Sequence, residues 1–229
     1  VDHQQSLVLL EEIAGAEGVR PGVFMDLNVG MDRTGISPGP GAVALYRNMA
    51  SSKSLDCRGL HVYDGHLRNP NPEVRAADCD QAFKTVEDLV TKLKTEGLEV
   101  PAIIAGGSPT FPIHARRQGV ELSPGTTLLW DARYGSQFPE MPFRPAAAVL
   151  CRLISKPAPG VFCLDLGHKA VAAEMEFPRV YLPQLPENSQ IGQSEEHLVI
   201  RSDTADGLPV GTVFYAIPMH ICPTVIKYP

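Results

Sequence analysis

The sequence has no long apolar run and no long basic run. Its densest apolar stretch, 146–151, is far shorter than the roughly 18 residues that a membrane-spanning helix needs. It contains no run of five or more basic residues, and the net charge is -6, so the chain offers no basic patch for a polyanion. We therefore expect neither a membrane nor a nucleic acid as a partner.

Cysteine is scarce, and its spacing is unlike that of a disulfide framework. The five cysteines are odd in number, and no two form a Cys-x-x-Cys pair. A reducing compartment is the natural setting for such a chain, so we expect a cytoplasmic protein.

The 229 residues are 44% hydrophobic and 20% charged, which is typical of an ordinary globular protein with one large domain or two modest ones. Residues 1–142 alternate helical and strand patterns. Strands are predicted at Val23–Asn28, Arg58–Val62, Ala102–Ala105 and Thr126–Trp130, with a long helix over 73–96. Strands separated by helices predict parallel pairing and an α/β layout.

Residues 143–229 lose the helical period and read as short strands punctuated by proline and glycine. This texture predicts a small antiparallel β domain. The predicted strands are Val149–Ile154, Val161–Leu166, Arg179–Leu182, His197–Arg201 and Val213–Ile217.

Three polar segments follow predicted strands of the first region. Gly106-Gly107-Ser108 is the start of a phosphate cup or a plain turn, and the local sequence favours the turn. Arg33 is placed to bind a phenolate or carboxylate, although one arginine is more often in a surface salt bridge. The segment from His61 to His66 gathers two imidazoles, a phenol and a carboxylate, which favours a site modestly.

Polar clusters also occur in the second region. His220 and Cys222 lie in a strand-like run, where residues two apart share a face, and together they offer two zinc ligands. A buried cysteine beside a half-exposed histidine explains the pair equally well. Lys169 is a candidate for an imine-forming amine, yet a lysine after a strand is more often simply solvent-exposed.

Seven motifs occur in one order between about Phe24 and Val225. Together they resemble the family of D-threonine aldolase and D-serine dehydratase, which belongs with alanine racemase among the fold-type III pyridoxal phosphate enzymes. The motifs are Asp-x-x-x-Gly-Met-x-Arg-Thr-Gly, Gly-Leu-His-x-Tyr-Asp-Gly-His, Ala-Gly-Gly-Ser-Pro-Thr-Phe, Ser-Pro-Gly-Thr, Leu-Asp-Leu-Gly-His-Lys, Ser-Glu-Glu-His and Pro-Met-His-Ile-Cys-Pro-Thr-Val.

The resemblance implies a (β/α)8 TIM-type barrel, which we expect to lack its first strands in this chain, followed by an antiparallel β domain. The implied domains are a partial alanine racemase-like barrel over 1–142 and a C-terminal β domain over 143–229 that carries the metal-binding His-x-Cys. The family's imine-forming lysine lies in an N-terminal stretch that this sequence does not contain, so we expect a longer natural polypeptide and do not assign that role to Lys169. Ser123 stands near a position that is arginine in alanine racemases, which argues against simple racemisation.

The resemblance also implies a site. Arg33 would contact the phenolic oxygen of pyridoxal phosphate, His61 would lie against the pyridine ring, and Tyr63 would line the pocket. The residues implied to hold the phosphate are Gly106, Gly107 and Ser108.

A divalent metal, Zn2+ or Mn2+, is implied at His220 and Cys222. His66 matches a proposed acid/base group, and Glu195 is expected to support the metal site. The catalytic residues that we predict are His66, Arg33 and Glu195.

The implied activity is a lyase reaction on D-3-hydroxy amino acids, with D-threonine cleaved to glycine and acetaldehyde. A D-serine dehydratase is the first alternative, and a non-catalytic pyridoxal phosphate-binding protein is the second. A small D-amino acid is then the partner, and by resemblance the protein is a homodimer.

Overall fold

Helices and strands alternate through the first part of the chain. The structure, a computed structural model, describes residues 1–229, and it divides into two compact units, Val1–Gly125 and Thr126–Pro229. In the first unit four parallel strands form one sheet in the order β1-β2-β3-β4. Its elements are α1 (Gln4–Glu17), β1 (Gly22–Leu27), α2 (Pro40–Ser51), β2 (Asp56–Val62), α3 (Pro72–Thr95), β3 (Ala102–Ala105), α4 (Phe111–His114) and β4 (Val120–Leu122).

The helix boundaries follow from recognisable capping residues. The Asn71 side chain accepts hydrogen bonds from the first N–H groups of α3, and the helix stops before Gly97, whose φ is +74°. The apolar faces of α1, α2 and α3 pack against the sheet through fully buried Leu7, Tyr46 and Val86. The long helix predicted over 73–96 is therefore confirmed within one residue at each end.

Gly59 permits the close spacing of β2 and β3. Its φ is +124°, and a Cβ atom there would lie 1.9 Å from the carbonyl oxygen of Ala102. The same residue sits at an irregularity in the pairing of β1 with β2, opposite Phe24. Beyond it the register aligns Asp26 with His61, and this pairing matters for the site.

The strand predicted over Thr126–Trp130 is wrong. The fourth strand is Val120–Leu122, which pairs in parallel with β3, and 126–128 form a 3-10 turn. Pro124 and Gly125 end the extended backbone, and the N–H of Trp130 folds back to the carbonyl of Thr126 at 2.6 Å. Within this run Trp130 is the buried residue, and it packs in a small aromatic cluster.

In the second unit six strands form an antiparallel sheet in the order β7-β10-β5-β6-β9-β8. Phe162, Leu164 and Phe214 are among its fully buried residues. The elements are α5 (Ala132–Gln137), β5 (Val149–Ala158), β6 (Val161–Leu164), β7 (Val180–Tyr181), β8 (Ser189–Gln193), β9 (Leu198–Arg201), β10 (Val213–Pro218) and α6 (Cys222–Val225).

The predicted fold class, an α/β region followed by an antiparallel β region, is confirmed. The structure divides the chain after Gly125, earlier than the predicted boundary at 142/143, because 126–142 contribute to the second unit. Trp130, Phe138 and Met141 form a buried cluster there.

None of the helices has the length and apolarity required to cross a lipid bilayer. The five cysteines are all free thiols in the structure, and Cys222 is the exposed one.

Candidate active site

Polar side chains collect where the parallel strands of the first unit end. Arg33 follows β1, Tyr63 follows β2, and Gly106 follows β3. The carboxyl ends of parallel strands share one edge of the sheet, which is where α/β folds place their sites. The guanidinium carbon of Arg33 lies 4.9 Å from the centroid of the Tyr63 ring. The structure therefore brings together two of the residues predicted to line the cofactor pocket.

His61 is oriented by a carboxylate from the neighbouring strand. Its Nδ1 atom lies 2.6 Å from Oδ1 of Asp26, the residue paired with it in the sheet register. A carboxylate can only accept, so Nδ1 carries the proton and Nε2 is the nitrogen left for another partner. Asp26 also accepts a hydrogen bond of 2.9 Å from the Thr34 hydroxyl. The ring of His61 is thus fixed in one tautomer and one orientation.

His66 has a buried nitrogen without a hydrogen-bond partner. Nδ1 is the orphaned atom, and Nε2 lies so near Gly30 that a Cβ there would come within 2.9 Å. A buried polar atom without a partner is costly in a folded protein. The arrangement fits a group that meets its partner in a bound ligand, so His66 stays a predicted acid/base residue.

The glycine loop after β3 differs from an open anion cup. The N–H of Gly106 donates to the carbonyl of Val62 at 3.1 Å. The N–H of Gly107 donates to Oδ1 of Asp64 at 2.9 Å. Two of the three residues that the resemblance assigns to the phosphate, Gly106 and Gly107, therefore use their N–H groups inside the protein, and the third, Ser108, is buried next to them in the loop.

Asp64 is the centre of a buried polar cluster with Cys79, Thr110 and His114. Nε2 of His114 lies 2.8 Å from Oδ2 of Asp64, and the Thr110 hydroxyl donates to Oδ1 at 2.6 Å. Burial alone would raise the pKa of Asp64, but the hydrogen bonds from His114, Thr110 and Gly107 together lower it below its ordinary value. Burial raises the pKa of the Cys79 thiol to about 12.

Asp64, Cys79 and His114 place their potential ligand atoms within 4.8 Å of one another, and zinc accepts such a donor set. However, both oxygens of Asp64 already have hydrogen-bond partners. Nδ1 of His114 has none, whereas a metal-bound histidine normally donates its other N–H to a neighbour. Hydrogen bonding accounts for the cluster without a metal.

His220 and Cys222 are not on a strand, so the predicted shared strand face is wrong for them. Strand β10 ends at Pro218. Cys222 is the first residue of α6, and a proline follows it in the sequence. Nδ1 of His220 instead contacts Oε1 of Glu174. The exposed thiol of Cys222 lies 3.4 Å from the Thr126 hydroxyl.

Two carboxylates near His220 escaped the sequence analysis. Glu174 contacts the ring. Partial burial would raise its pKa, but hydrogen bonds from His220 and from its own backbone, together with the charges of His220 and Arg179, lower it. Asp131 is fully buried and accepts from the N–H of Ile221 at 3.1 Å, which ties down the residue between His220 and Cys222. Burial raises the pKa of Asp131.

Glu195 makes a different contact from the one predicted. Its carboxylate lies 3.5 Å from the Lys169 ammonium, which also binds Glu196 at 2.7 Å. All three side chains are largely exposed, so this is a surface ion-pair network. The carboxylate that touches His220 is that of Glu174.

Comparison with known proteins places the chain. Residues 1–132 match the family model of the alanine racemase N-terminal domain, and residues 146–229 match that of the putative serine dehydratase domain. The chain belongs to the family of the alanine racemase N-terminal domain.

Within that family, the chain is 28% identical over 230 residues to a D-threonine aldolase of Arthrobacter sp., covering 98% of this chain and 60% of the relative. It is 27% identical over 235 residues to a 3-hydroxy-D-aspartate aldolase of Paracoccus denitrificans, covering 98% and 59%. The chain thus spans about three fifths of the length of the curated relatives it matches.

The solved structures agree with this membership. A D-threonine aldolase from Filomicrobium marinum superposes on all of this chain and on 62% of its own, with a TM-score of 0.90 and 26% identity. A D-threo-3-hydroxyaspartate dehydratase from Delftia sp. covers 100% of this chain and 66% of its own, with a TM-score of 0.84 and 20% identity. The second likeness shows the fold alone.

A cavity of about 610 Å³ in the first unit does not coincide with this family site, since residues of α2 and α3 line it. Three of its charged residues pair with one another, as Arg47 does with Glu96 and Lys92 with Glu96. The strand ends hold the residues with cofactor chemistry, so we assign the candidate site there.

The residues at the strand ends fit a phosphorylated pyridine. They supply a guanidinium, an oriented imidazole and a phenol, and His66 adds a buried nitrogen without a partner. The lysines of the first unit are all exposed and lie outside its strands. His220 and Cys222 remain the predicted metal ligands of the second unit, since an imidazole and a thiolate are donors that suit zinc.

Proposed function

We propose that this chain is part of a pyridoxal phosphate- and metal-dependent lyase that acts on D-3-hydroxy amino acids, of the D-threonine aldolase type. The observation that carries the proposal is the set of oriented groups at the strand ends, with Arg33 on the Tyr63 ring and His61 held by Asp26. Aldolase relatives that match 98% of the chain support it.

When bound, pyridoxal phosphate supplies the electron sink that makes a bond at the substrate's α-carbon labile. The chain's own residues bind and orient this cofactor. Arg33 would hold its phenolic oxygen, and the face of His61 would lie against the ring, in the orientation that Asp26 sets. Ser108 would contact the phosphate at the glycine loop.

His220 and Cys222 would hold a divalent metal, with zinc as the first choice and manganese as the second. Because the Nδ1–H group of His220 donates a hydrogen bond to Glu174, Nε2 is the nitrogen left for the metal. A metal held by these residues would supply Lewis-acid chemistry for a hydroxyl group. His66 would accept the hydroxyl proton, and its buried Nδ1 is the atom without a partner.

A dehydratase remains the second candidate because of Cys222. A D-threo-3-hydroxyaspartate dehydratase similar in fold has been solved as a cysteine-to-alanine variant in the metal-free form and as a histidine-to-alanine variant. Those two positions are separated by one residue, as His220 and Cys222 are. Zinc as the metal, the homodimer and the cytoplasmic location likewise remain predictions.

The test uses the polypeptide that contains this chain, incubated with D-threonine, pyridoxal phosphate and zinc or manganese. Glycine and acetaldehyde are the expected products. 2-Oxobutanoate and ammonia would replace the aldolase assignment by the dehydratase. Retained cofactor without either product would overturn both in favour of a cofactor-binding protein.

A variant separates the metal from the cofactor. We expect His220→Ala to lose bound metal and turnover while it keeps the visible absorbance of the cofactor. His197→Ala removes an exposed histidine of the same unit and should change neither. Loss of metal and cofactor together in His220→Ala would contradict a separate metal role.

A further inference from the structure

Arg179 carries buried guanidinium nitrogens that no group of the protein satisfies. Nε and Nη1 are both buried and have no hydrogen-bond partner. The guanidinium carbon lies 4.5 Å from the centroid of the Phe177 ring, which offers no conventional acceptor atom. A buried charged donor without an acceptor costs free energy in the folded protein. Such a group is suited to meet its acceptor in a bound ligand, and the acceptor that a guanidinium matches best is a carboxylate or a phosphate.

The backbone around this side chain is fixed by bonds that do not involve the guanidinium. The buried side chain of Gln190 accepts the N–H of Arg179 at 2.7 Å and donates to the carbonyl of Val180 at 2.6 Å. The carbonyl of Arg179 accepts the N–H of Met219 at 2.9 Å. The segment is therefore held in place while Nε and Nη1 stay unpaired, and the Arg179 side chain is not needed to hold it.

The same contacts place Arg179 beside the predicted metal ligands of the second unit. Met219, which bonds to Arg179, immediately precedes His220 in the chain. The charge of Arg179 also reaches Glu174, the carboxylate that contacts His220. The side chains of Glu174 and His220 are 47% and 40% exposed, and Arg179 is half-buried. A small ligand can therefore reach the guanidinium from solvent.

The position next to His220 restricts which part of a substrate Arg179 can meet. In the proposed function the hydroxyl group of the substrate belongs at His220 and Cys222. The substituent on the hydroxyl-bearing carbon lies one bond further away, and it is a methyl group in D-threonine and a carboxylate in D-3-hydroxyaspartate. A methyl group would leave the buried donors of Arg179 unpaired, whereas a carboxylate would accept from them, and a site built to hydrogen-bond discriminates strongly between two such groups.

We propose that Arg179 is a specificity-determining residue that binds a carboxylate on the hydroxyl-bearing carbon of the substrate. The substrate class that follows is a D-3-hydroxy dicarboxylic amino acid, in preference to D-threonine. This inference rests on the proposed function, whose substrate class it narrows.

The first experiment measures binding without turnover. D-Aspartate and D-2-aminobutyrate differ in the same way, a carboxylate against a methyl group, and neither has the hydroxyl group that cleavage requires. Isothermal titration uses the polypeptide that contains this chain, with pyridoxal phosphate and without added metal. We expect the wild type to prefer D-aspartate, and Arg179→Met to reduce this preference by about ten- to hundredfold, because a charge-assisted hydrogen bond is lost.

Two further variants complete the set. Arg179→Lys keeps the charge but not the planar donor geometry, so it should recover part of the preference, and it serves if Arg179→Met does not fold. Arg201→Met removes an exposed guanidinium of the same unit and should leave the preference unchanged. The melting temperature of Arg179→Met should not fall, because unpaired buried donors are removed while the backbone bonds remain. A lower melting temperature with an unchanged preference would show a packing role and overturn the inference.

Turnover supplies the second reading. The ratio of kcat/KM for D-3-hydroxyaspartate to that for D-threonine should fall about ten- to hundredfold in Arg179→Met and stay constant in Arg201→Met. Equal losses for both substrates would assign Arg179 to the α-carboxylate, which every amino acid carries, and would overturn the inference.

The outcomes separate this inference from the proposed function. Wild-type turnover of D-threonine without any preference for the dicarboxylic substrate would overturn the inference and leave the proposed function intact. Binding of D-aspartate that depends on Arg179, without turnover of either substrate, would support the carboxylate site while the proposed function fails. Neither binding nor turnover would overturn both.

Discussion

Two carboxylate–imidazole pairs, one in each unit, show how surroundings change the use of the same chemistry. In the first unit the side chains of Asp64 and His114 are 3% and 1% exposed, and the carboxylate also binds the Gly106–Thr110 loop. In the second unit Glu174 and His220 are 47% and 40% exposed. The buried pair fixes backbone, whereas the exposed pair orients a ring whose other nitrogen a ligand can reach.

The largest effect that we expect from removing the carboxylate of either pair is on the free energy of unfolding. Asp64→Ala should lower the free energy of unfolding of the first unit by about 3–5 kcal/mol, because it leaves buried donors without their acceptor. Glu174→Ala should cost at most about 1 kcal/mol, since solvent screens an exposed pair. Urea unfolding followed by far-UV circular dichroism measures both.

Similar losses in the two variants would contradict the contrast between buried and exposed pairs. Asp88→Asn is a suitable surface control because its carboxylate pairs with Lys84 on the open face of α3.

The next effect is on metal affinity. Glu174→Gln should weaken metal binding by about 10–100-fold, the range typical for the loss of a partner that orients a metal-bound histidine. Glu195→Gln is the matched control and should leave it unchanged, since Glu195 pairs with Lys169. Isothermal titration with zinc would show the difference, and a larger effect at Glu195 would restore the support role predicted from the sequence.

A smaller effect is expected on the free energy of unfolding at acidic pH. The pKa of Asp64 is lowered in the folded protein, so its stabilising contribution is complete above its ordinary pKa near 4 and disappears as the pH falls through the lowered value. The difference in unfolding free energy between the wild type and Asp64→Asn should therefore be constant from pH 5 to 7 and shrink below about pH 4. A difference that grows in acid would contradict this sign.

The smallest effect is expected at Lys169. Lys169→Met removes an exposed ion pair with Glu195 and Glu196 and should change neither the melting temperature nor the visible absorbance of the bound cofactor. Loss of that absorbance in the variant would instead make Lys169 the imine-forming amine.

Local patterns in the sequence predict elements well where packing follows the same period. Helix α3 and strand β2 begin and end near their predicted residues because their buried positions repeat at helical or strand spacing. The run at Thr126–Trp130 misleads because it belongs to no sheet: Trp130 is buried in an aromatic cluster, whereas Leu128 is exposed. His220 misleads in the same way, since the strand before it stops at Pro218.

Contacts between distant residues are what the sequence could not supply. Asp26 meets His61 only through the register of β1 and β2. Glu174 and His220 are 46 residues apart, and Asp64 and His114 are 50 apart. Asp131 offered the one local signal, because an aspartate before a short helix is a typical N-cap and its side chain does accept from the Tyr134 N–H.

Trp130 is the single tryptophan of the chain, and it lies buried in the second unit against Tyr134 and Phe143. Its neighbour Asp131 holds the backbone between His220 and Cys222. Intrinsic fluorescence excited at the red edge of the indole band therefore reports on the second unit alone. The chain carries a built-in optical probe that can separate the melting of its two units and follow ion binding beside α6.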